Sequence, residues 1–571
     1  MVTARLARGV AGGAMLIGAI TILARVTGFA KQYAFAQTVG TDCLATAYFT
    51  ANQIPNIVFE VVVGGALSGM VVPVLAGAAA ASAATDGAVS SSGGAVSSFD
   101  GGMRAPDGSP AARRRVESIS SALLTWVLVV LVPLGALVAL LAGPVMGLFF
   151  HDGVAGCETG SVHAVATRML VVFAPQIPLY GVAVVLYGLL QAHRRFAGPA
   201  LAPLVSSILV IVAYLVFVPL SGNETDPADV PRAAELALSV GTSLGVLALV
   251  LTVAGPVAGL GLRWRPTLRF PPGVAPQVRR LALAGVAALL AQQAAMIVVL
   301  LLSNQAVGSG AIAVYNYAWA IYLVPYAVLA VPIATSAFPG LSAQAQAGEA
   351  AAFARLAAGA TRAVVLVSGL AAGVLAAAAE PGAVVFLGTD TKVPPDQLAR
   401  TIMLFAPGLI GYGLIAHLSR VLYAAGHGRA ASIGTVTGWV VVMAGQTVFV
   451  LVLPDDWKIA GLALGMTAGM TAGGALLLAF VVRARGRSAA AGLGRAVAAA
   501  VVGGAAGYLA GAAVVAALDA RGILANAGAV VPTALAALAA GGLAVALVDR
   551  DDARAVAGRL ARGRKTGGAG E

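Results

Sequence analysis

Fourteen long apolar runs, separated by short segments that carry most of the charge, set the pattern of this chain. They fall at about 12–38, 44–81, 118–150, 165–192, 198–221, 234–261, 281–303, 312–342, 357–387, 400–424, 430–453, 459–482, 490–518 and 527–548. A helix needs about 20 apolar residues to cross a bilayer, and nearly every run reaches that length. Glycine and proline recur inside the runs, which membrane helices tolerate better than soluble ones. The one long interruption, 82–115, is rich in Ser, Gly, Ala and Asp, contains SSSGGAVSSFDGG, and predicts a flexible loop with no core of its own. The pattern predicts an all-α polytopic membrane protein of about 14 transmembrane helices.

Composition sharpens the same picture. Of 571 residues, 59% are hydrophobic and 10% charged, and the mean hydropathy is +0.92. A soluble domain is nearer 45–50% apolar and about 25% charged, so a soluble multidomain enzyme is excluded. The net charge of +12 does not indicate nucleic acid, because the arginines lie in short segments between apolar runs rather than in a patch interleaved with aromatics. With the N-terminus inside, 24 Lys/Arg fall on the cytoplasmic side and six outside: Arg168, Arg232, Lys392, Arg400, Lys458 and Arg521. That asymmetry predicts cytoplasmic N- and C-termini. The segment Met1–Val10 leads into a run interrupted by Arg25 and reads as a retained first helix.

An internal repeat organises the runs. Arg168-x4-Phe173-Ala174-Pro175-x4-Tyr180-Gly181 opens the fourth, and Arg400-x4-Phe405-Ala406-Pro407-x4-Tyr412-Gly413 opens the tenth. The offset is 232 throughout, with 9 identities in 25 positions. A duplication follows: two six-helix lobes in parallel orientation, with two appended C-terminal helices. The predicted divisions are 1–262 for the N-terminal lobe with loop 82–115, 263–488 for the C-terminal lobe, 489–548 for the appended spans and 549–571 for a basic cytoplasmic tail. Parallel halves around a binding site are a recurring transporter design.

Catalytic constellations are missing from the sequence. None of the four lysines ends a GxxxxGK loop, and there is no H-E-x-x-H or G-x-S-x-G. Cys43 and Cys157 form no metal-ligand spacing. Both fall in external segments, where a disulfide is chemically permitted and not required. His417 alone among five histidines lies well inside a span, where a helix contact is the simpler role. No cofactor, no metal and no catalytic residue is expected.

Charges inside spans are the informative positions, because each costs at least about 2.5–3.5 kcal/mol at mid-bilayer unless it meets water or a partner. Arg25 lies roughly 20 Å into the first run at 1.5 Å per residue. Lys31 follows six residues later with Gly28 between them, so the two point about 120° apart on a straight helix. Glu60, in Asn56-Ile-Val-Phe-Glu60, is the acid deep in the second run. It could neutralise either cation, as a register-fixing ion pair or as part of an anionic-substrate site. Arg362, Arg420 and Arg495 lie nearer the cytoplasmic ends of their spans, where long side chains snorkel.

The stretches Ala24-Arg25-Val-Thr-Gly28-Phe-Ala-Lys31, Gln53-Ile-Pro55-Asn56-Ile-Val-Phe-Glu60 and Gly64-Gly65-Ala-Leu-Ser68-Gly-Met-Val-Val-Pro73 resemble the opening of the MurJ/MviN lipid II flippases. These belong to the multidrug/oligosaccharidyl-lipid/polysaccharide exporter superfamily. Tyr315-Asn-Tyr317-Ala-Trp319, Val324-Pro325-Tyr326 and Phe338-Pro339-Gly-Leu-Ser342 resemble that family's eighth helix. The resemblance implies alternating access around a cationic cavity in the bacterial plasma membrane. The substrate would be lipid II, the undecaprenyl-diphosphate-linked peptidoglycan precursor, moved from the inner to the outer leaflet. It maps two cavity cations onto Arg25 and Lys31 and the Ile-Pro-Asn element onto Ile54-Pro55-Asn56; with Glu60, read from its own depth in the second run, Arg25, Lys31 and Asn56 are the expected substrate contacts, and Gly28, Pro55 and Pro325 the expected structural or gating positions. The implied partners are lipid II, the bilayer and cell-wall synthesis proteins. The chain departs from the family where many members carry an arginine pair, having Phe59 and Glu60 there, and it has Gly64 and Ala320 where an acid and an arginine are common. Its Asn-Ile-Val-Phe-Glu variant and Arg-over-Lys composition resemble the actinobacterial branch. Alternatives are an exporter of another lipid-linked glycan or an amphipathic drug, and a non-transporting cell-wall scaffold.

Overall fold

A computed structural model describes residues 2–61, 110–193, 195–271, 274–388 and 391–551. Most of the expected loop 82–115 and of the basic tail 549–571 lies outside the described residues. Every regular element among the described residues is a helix. In chain order they are α1 (Val2–Thr38), α2 (Cys43–Phe59), α3 (Pro110–Leu140), α4 (Ala142–Phe150), α5 (Thr159–Phe173), α6 (Gln176–Ala192), α7 (Ala197–Ser221), α8 (Arg232–Ala258) and α9 (Val274–Leu301). There follow α10 (Ala311–Pro325), α11 (Val331–Gln346), α12 (Ala350–Ala377), α13 (Ala379–Leu387), α14 (Pro395–Phe405), α15 (Gly408–Ala424), α16 (Gly428–Val452), α17 (Lys458–Arg485), α18 (Leu493–Leu518) and α19 (Ile523–Val548). Short π-helical segments occupy Leu302–Val307 and Tyr326–Ala330. Because α3 begins at Pro110, residues 110–115 are helical rather than loop.

Among the described residues, eleven helical stretches are long and apolar enough to cross a membrane, and α14 with α15, bent by 43°, passes as a twelfth. The bend falls at Ala406-Pro407, where proline removes an N–H from the helix ladder and its ring crowds the preceding turn. The run 44–81 is described only as far as Val61. The chain is an all-α, multi-pass plasma-membrane protein.

The chain forms two compact units. The first comprises Met1–Ala34, Thr50–Leu148 and His163–Leu290. Within it α7 and α8 pack where Gly241 and Gly245 face Ala213 and Val210. In the N-terminal half of α3, Glu117, Ser121 and Thr125 stand four residues apart on one face. They accept the backbone N–H groups of Arg263, Arg265 and Thr267 at 3.2, 3.2 and 3.1 Å. Four residues of helix advance about 6 Å and two of extended chain about 6.6 Å, so the periods match. A segment rich in arginine is thereby ordered along a helix that needs no sheet partner.

The second unit comprises Phe35–Phe49, Phe149–Val162 and Ala291–Glu571. Its helices approach closely at glycines. A Cβ on Gly411 of α15 would lie 2.4 Å from the Met470 carbonyl carbon of α17, with further backbone at 2.5 and 2.6 Å. Backbone cannot rotate away, so Gly411→Ala is expected to cost about 1–3 kcal/mol. It should lower the midpoint of thermal aggregation of detergent-purified protein, whereas Gly382→Ala, with open space around it, should leave the midpoint unchanged. Equal midpoints for the two variants would contradict this close packing.

Segments 35–49 and 149–162 are anchored within this second unit. Tyr317 donates to the Gly40 carbonyl at 2.7 Å, Thr46 accepts from the Gly310 N–H at 2.9 Å, and the Ser309 N–H donates to the Ala155 carbonyl at 2.9 Å. Cys43 and Cys157, left open by the sequence, form a disulfide with Cα atoms 5.7 Å apart. Maleimide should label no native thiol in intact cells and both after reduction. Labelling without reductant would contradict the bridge.

Candidate functional site

The first-unit candidates are built from α1, α2 and α6. Helix α1 runs unbroken through Gly28, and a Cβ there would meet nothing within 4 Å. The helix therefore needs no bend at Gly28 to be accommodated, and its small size leaves space beside the two cations. Arg25 is exposed and Lys31 half-buried. They stand about 9 Å apart along the helix axis. Exposed Ile22, Leu23 and Val26 flank Arg25 at 64, 51 and 57%, so the helix presents apolar and cationic positions together. Thr27 is bonded back to the Leu23 carbonyl at 2.8 Å and adds no donor of its own.

Helix α2 carries Pro55 inside it, and its hydrogen bonding loosens into a π-turn at Glu60 and Val61. Proline cannot donate to the ladder, and π-turns are rare insertions within α-helices, frequent at functional sites. Asn56, one residue on, accepts the Tyr180 hydroxyl of α6 at 3.3 Å. The Phe59 ring lies 4.4 Å from that of Tyr180. Glu60 is half-buried, and among the described residues no ion pair joins it to Arg25 or Lys31. The structure thus brings Asn56 together with Tyr180, and leaves Arg25, Lys31 and Glu60 without an ion pair among them.

A corresponding arrangement appears inside the second unit. Pro325 ends α10 and precedes the π segment Tyr326–Ala330. Tyr326 stacks on Tyr412 of α15 with ring centroids 4.2 Å apart. In each unit, the repeat's tyrosine (Tyr180 or Tyr412) meets the residue following a helix-internal proline (Asn56 or Tyr326). This contact was not foreseen from sequence, although Ile54-Pro55-Asn56 and Val324-Pro325-Tyr326 could have been aligned as a second repeat.

A second feature missed from sequence is an ion pair. Arg168 of α5 donates to both Glu235 oxygens, Nε at 3.0 and 3.1 Å and Nη2 at 2.5 Å. Arg232 approaches the same carboxylate at 3.5 Å. Glu235 is the acid of the run 234–261 and lies at that run's N-terminal end, which the predicted topology put on the same side as Arg168. That coincidence was the available signal. The repeat's second arginine, Arg400, pairs with Asp396 one turn earlier on its own helix, so the two copies hold their arginines differently. His417 is fully buried within α15. No group of three or more His, Cys, Asp or Glu stands ready to hold a metal among the described residues.

Residues 35–521 match the family described as Lipid II flippase MurJ. A lipid II flippase MurJ of Burkholderia cenocepacia is 25% identical over 312 residues, covering 53% of this chain and 51% of that protein. The chain therefore spans about half the length of that curated relative. Among solved structures, a lipid II flippase MurJ in an inward closed conformation superposes with a TM-score of 0.65 at 17% identity, over 94% of this chain and 99% of that one. An inward-facing multidrug resistance transporter of the MATE family, in the MOP superfamily, gives a TM-score of 0.61 at 16% identity, over 84% and 98%. At such identities these two likenesses concern the fold.

Proposed function

The chain belongs to the lipid II flippase MurJ family, and from that premise we propose that it moves the undecaprenyl-diphosphate-linked peptidoglycan precursor from the inner to the outer leaflet. The family is one of transporters rather than enzymes. The observation that carries the reading is the pair of α1 cations, Arg25 exposed and Lys31 half-buried, deep in an apolar helix. A diphosphate cannot cross about 30 Å of hydrocarbon unaided. Arginine offers a forked donor set to phosphate oxygens and stays ionised when desolvated, while lysine acts as a point charge. Asn56 and Glu60 supply polar atoms on the neighbouring helix, and the prenyl tail stays in the bilayer.

The proposed architecture is fourteen spans: two six-helix lobes, 1–262 and 263–488, with 489–548 appended and both termini cytoplasmic. The matching Tyr180–Asn56 and Tyr412–Tyr326 contacts support the duplication. Prolines 55 and 325, each followed by π-helical backbone, are where the lobes' second helices would flex during alternating access. The Asn-Ile-Val-Phe-Glu60 variant favours the actinobacterial branch, and cell-wall synthesis proteins are the natural partners.

Direction can come from the membrane potential, since each net negative charge moved outward gains roughly 2.3 kcal/mol per 100 mV when the inside is negative. Collapsing the potential in sealed vesicles should slow flipping several-fold, and unchanged flipping would remove this source of drive. The function itself is tested by depleting a cell of its native flippase, supplying this chain, and measuring lipid II in the outer leaflet. Restored exposure is expected. Its absence, with the chain properly inserted, would overturn the reading.

A further inference from the structure

Within the second unit, α10 and α15 present an aromatic surface that the cationic path of α1 does not use. Tyr412 stands between Trp319 and Tyr326, with centroids at 6.0 and 4.2 Å. Trp319 and Tyr326 are seven residues apart, so they share one helix face to within about 20°. All three rings are half-buried. Behind them, Tyr322 and Phe405 are fully buried; Tyr322 stacks on Trp319 at 5.4 Å and Phe405 meets it tilted, at 5.9 Å. The half-buried rings are thus held rigidly from behind while part of each remains open.

The polar edges of this surface distinguish it from a lipid-facing stripe. Tyr326 and Tyr412 bring hydroxyls, while Arg420, two turns along α15 from Tyr412, donates to the Ala416 carbonyl of its own helix. Polar groups inside spans face the bundle interior or a water-filled cavity. The apolar outward positions of α10 lie elsewhere: Val324, 46% exposed, is about 140° around the helix from Trp319.

We propose that Trp319, Tyr412 and Tyr326 form a stacking platform for a hexosamine ring of the transported lipid-linked glycan. This deepens the flippase reading and rests on it for the identity of the ligand. A hexopyranose has one face of C–H bonds, whose positively polarised hydrogens suit the negative face of an aromatic ring, and a rim of hydroxyls that tyrosine can bond. Rings fixed in advance lose little conformational freedom on binding. The platform would therefore hold the sugar by its apolar face.

The test uses the full purified chain in detergent micelles and the soluble disaccharide N-acetylglucosaminyl-N-acetylmuramic acid, read by saturation-transfer NMR. Saturation should reach the sugar-ring C–H protons. Trp319→Leu and Tyr412→Leu should weaken binding at least tenfold, Tyr412→Phe should retain most of it, and Trp457→Leu, altering an exposed ring elsewhere in this unit, should not change it. No transfer with the intact chain, or equal transfer in Trp319→Leu, would overturn the platform. Leucine fills much of the lost volume, and an unchanged thermal midpoint identifies a folded variant. If Tyr412→Leu unfolds, Trp319→Leu alone decides the matter. Because the assay contains neither lipid nor diphosphate, it separates failure of the platform from failure of the flippase reading, which the outer-leaflet measurement judges.

Discussion

Arg25→Ala is expected to reduce outer-leaflet lipid II by about 10- to 100-fold relative to the intact chain, at equal membrane abundance. Hydrogen bonds to charged groups contribute about 1.5–3 kcal/mol, and each 1.4 kcal/mol is a factor of ten. The cost should fall on transport rather than stability, since Arg25 is exposed and makes no ion pair among the described residues. Arg25→Lys should retain part of the activity, keeping the charge and losing the fork. Lys31→Ala should be milder for the same reason. Normal exposure of lipid II with Arg25→Ala in place would remove the cation assignment, and would favour the scaffold reading if Lys31→Ala were also silent.

The second large effect concerns the ion pair of the first unit, and it should be asymmetric. The Glu235 side chain is 3% exposed and that of Arg168 37%. Removing Glu235 leaves an arginine that water can reach. Removing Arg168 leaves a buried carboxylate with only Arg232, itself 60% exposed and 3.5 Å away. Breaking a buried pair from one side costs about 3–5 kcal/mol, and the partial exposure here brings the expectation for Arg168→Met to roughly 3 kcal/mol. Glu235→Gln should cost about half as much, and Arg168→Met with Glu235→Gln should recover part of the loss. Thermal aggregation midpoints of the three variants in detergent provide the measurement. A Glu235→Gln variant less stable than Arg168→Met would refute the asymmetry.

The all-α membrane class was legible in the sequence because its cause is local. Every backbone group in hydrocarbon must be bonded within its own helix, so twenty apolar residues suffice to declare a span without knowledge of its neighbours. The cations Arg25 and Lys31 were legible for the same reason: a charge in such a run is anomalous whatever surrounds it. The repeat around Tyr180 and Tyr412 was likewise visible in the residues themselves, and so was the family likeness that the match over 35–521 bears out.

What could not be read was which side chains meet across helices. Asn56 was singled out, but its partner Tyr180 is 124 residues away. Glu60 could have neutralised either cation, and among the described residues no ion pair joins it to Arg25 or Lys31, whereas the unremarked Glu235 pairs with Arg168. Two cysteines 114 residues apart carried no pairing information until segments 35–49 and 149–162 were brought into one unit. The sequence by itself therefore determined the solvent of this protein, its helical class, the anomalous charges within its first run and its family. The tertiary structure decided the partners: the disulfide, the ion pair, the tyrosine contacts and the aromatic surface. Burial in a membrane is set by the chemistry of twenty consecutive residues, but contact between helices depends on rotation and crossing, which single-helix patterns leave open when lipid and protein faces are equally apolar.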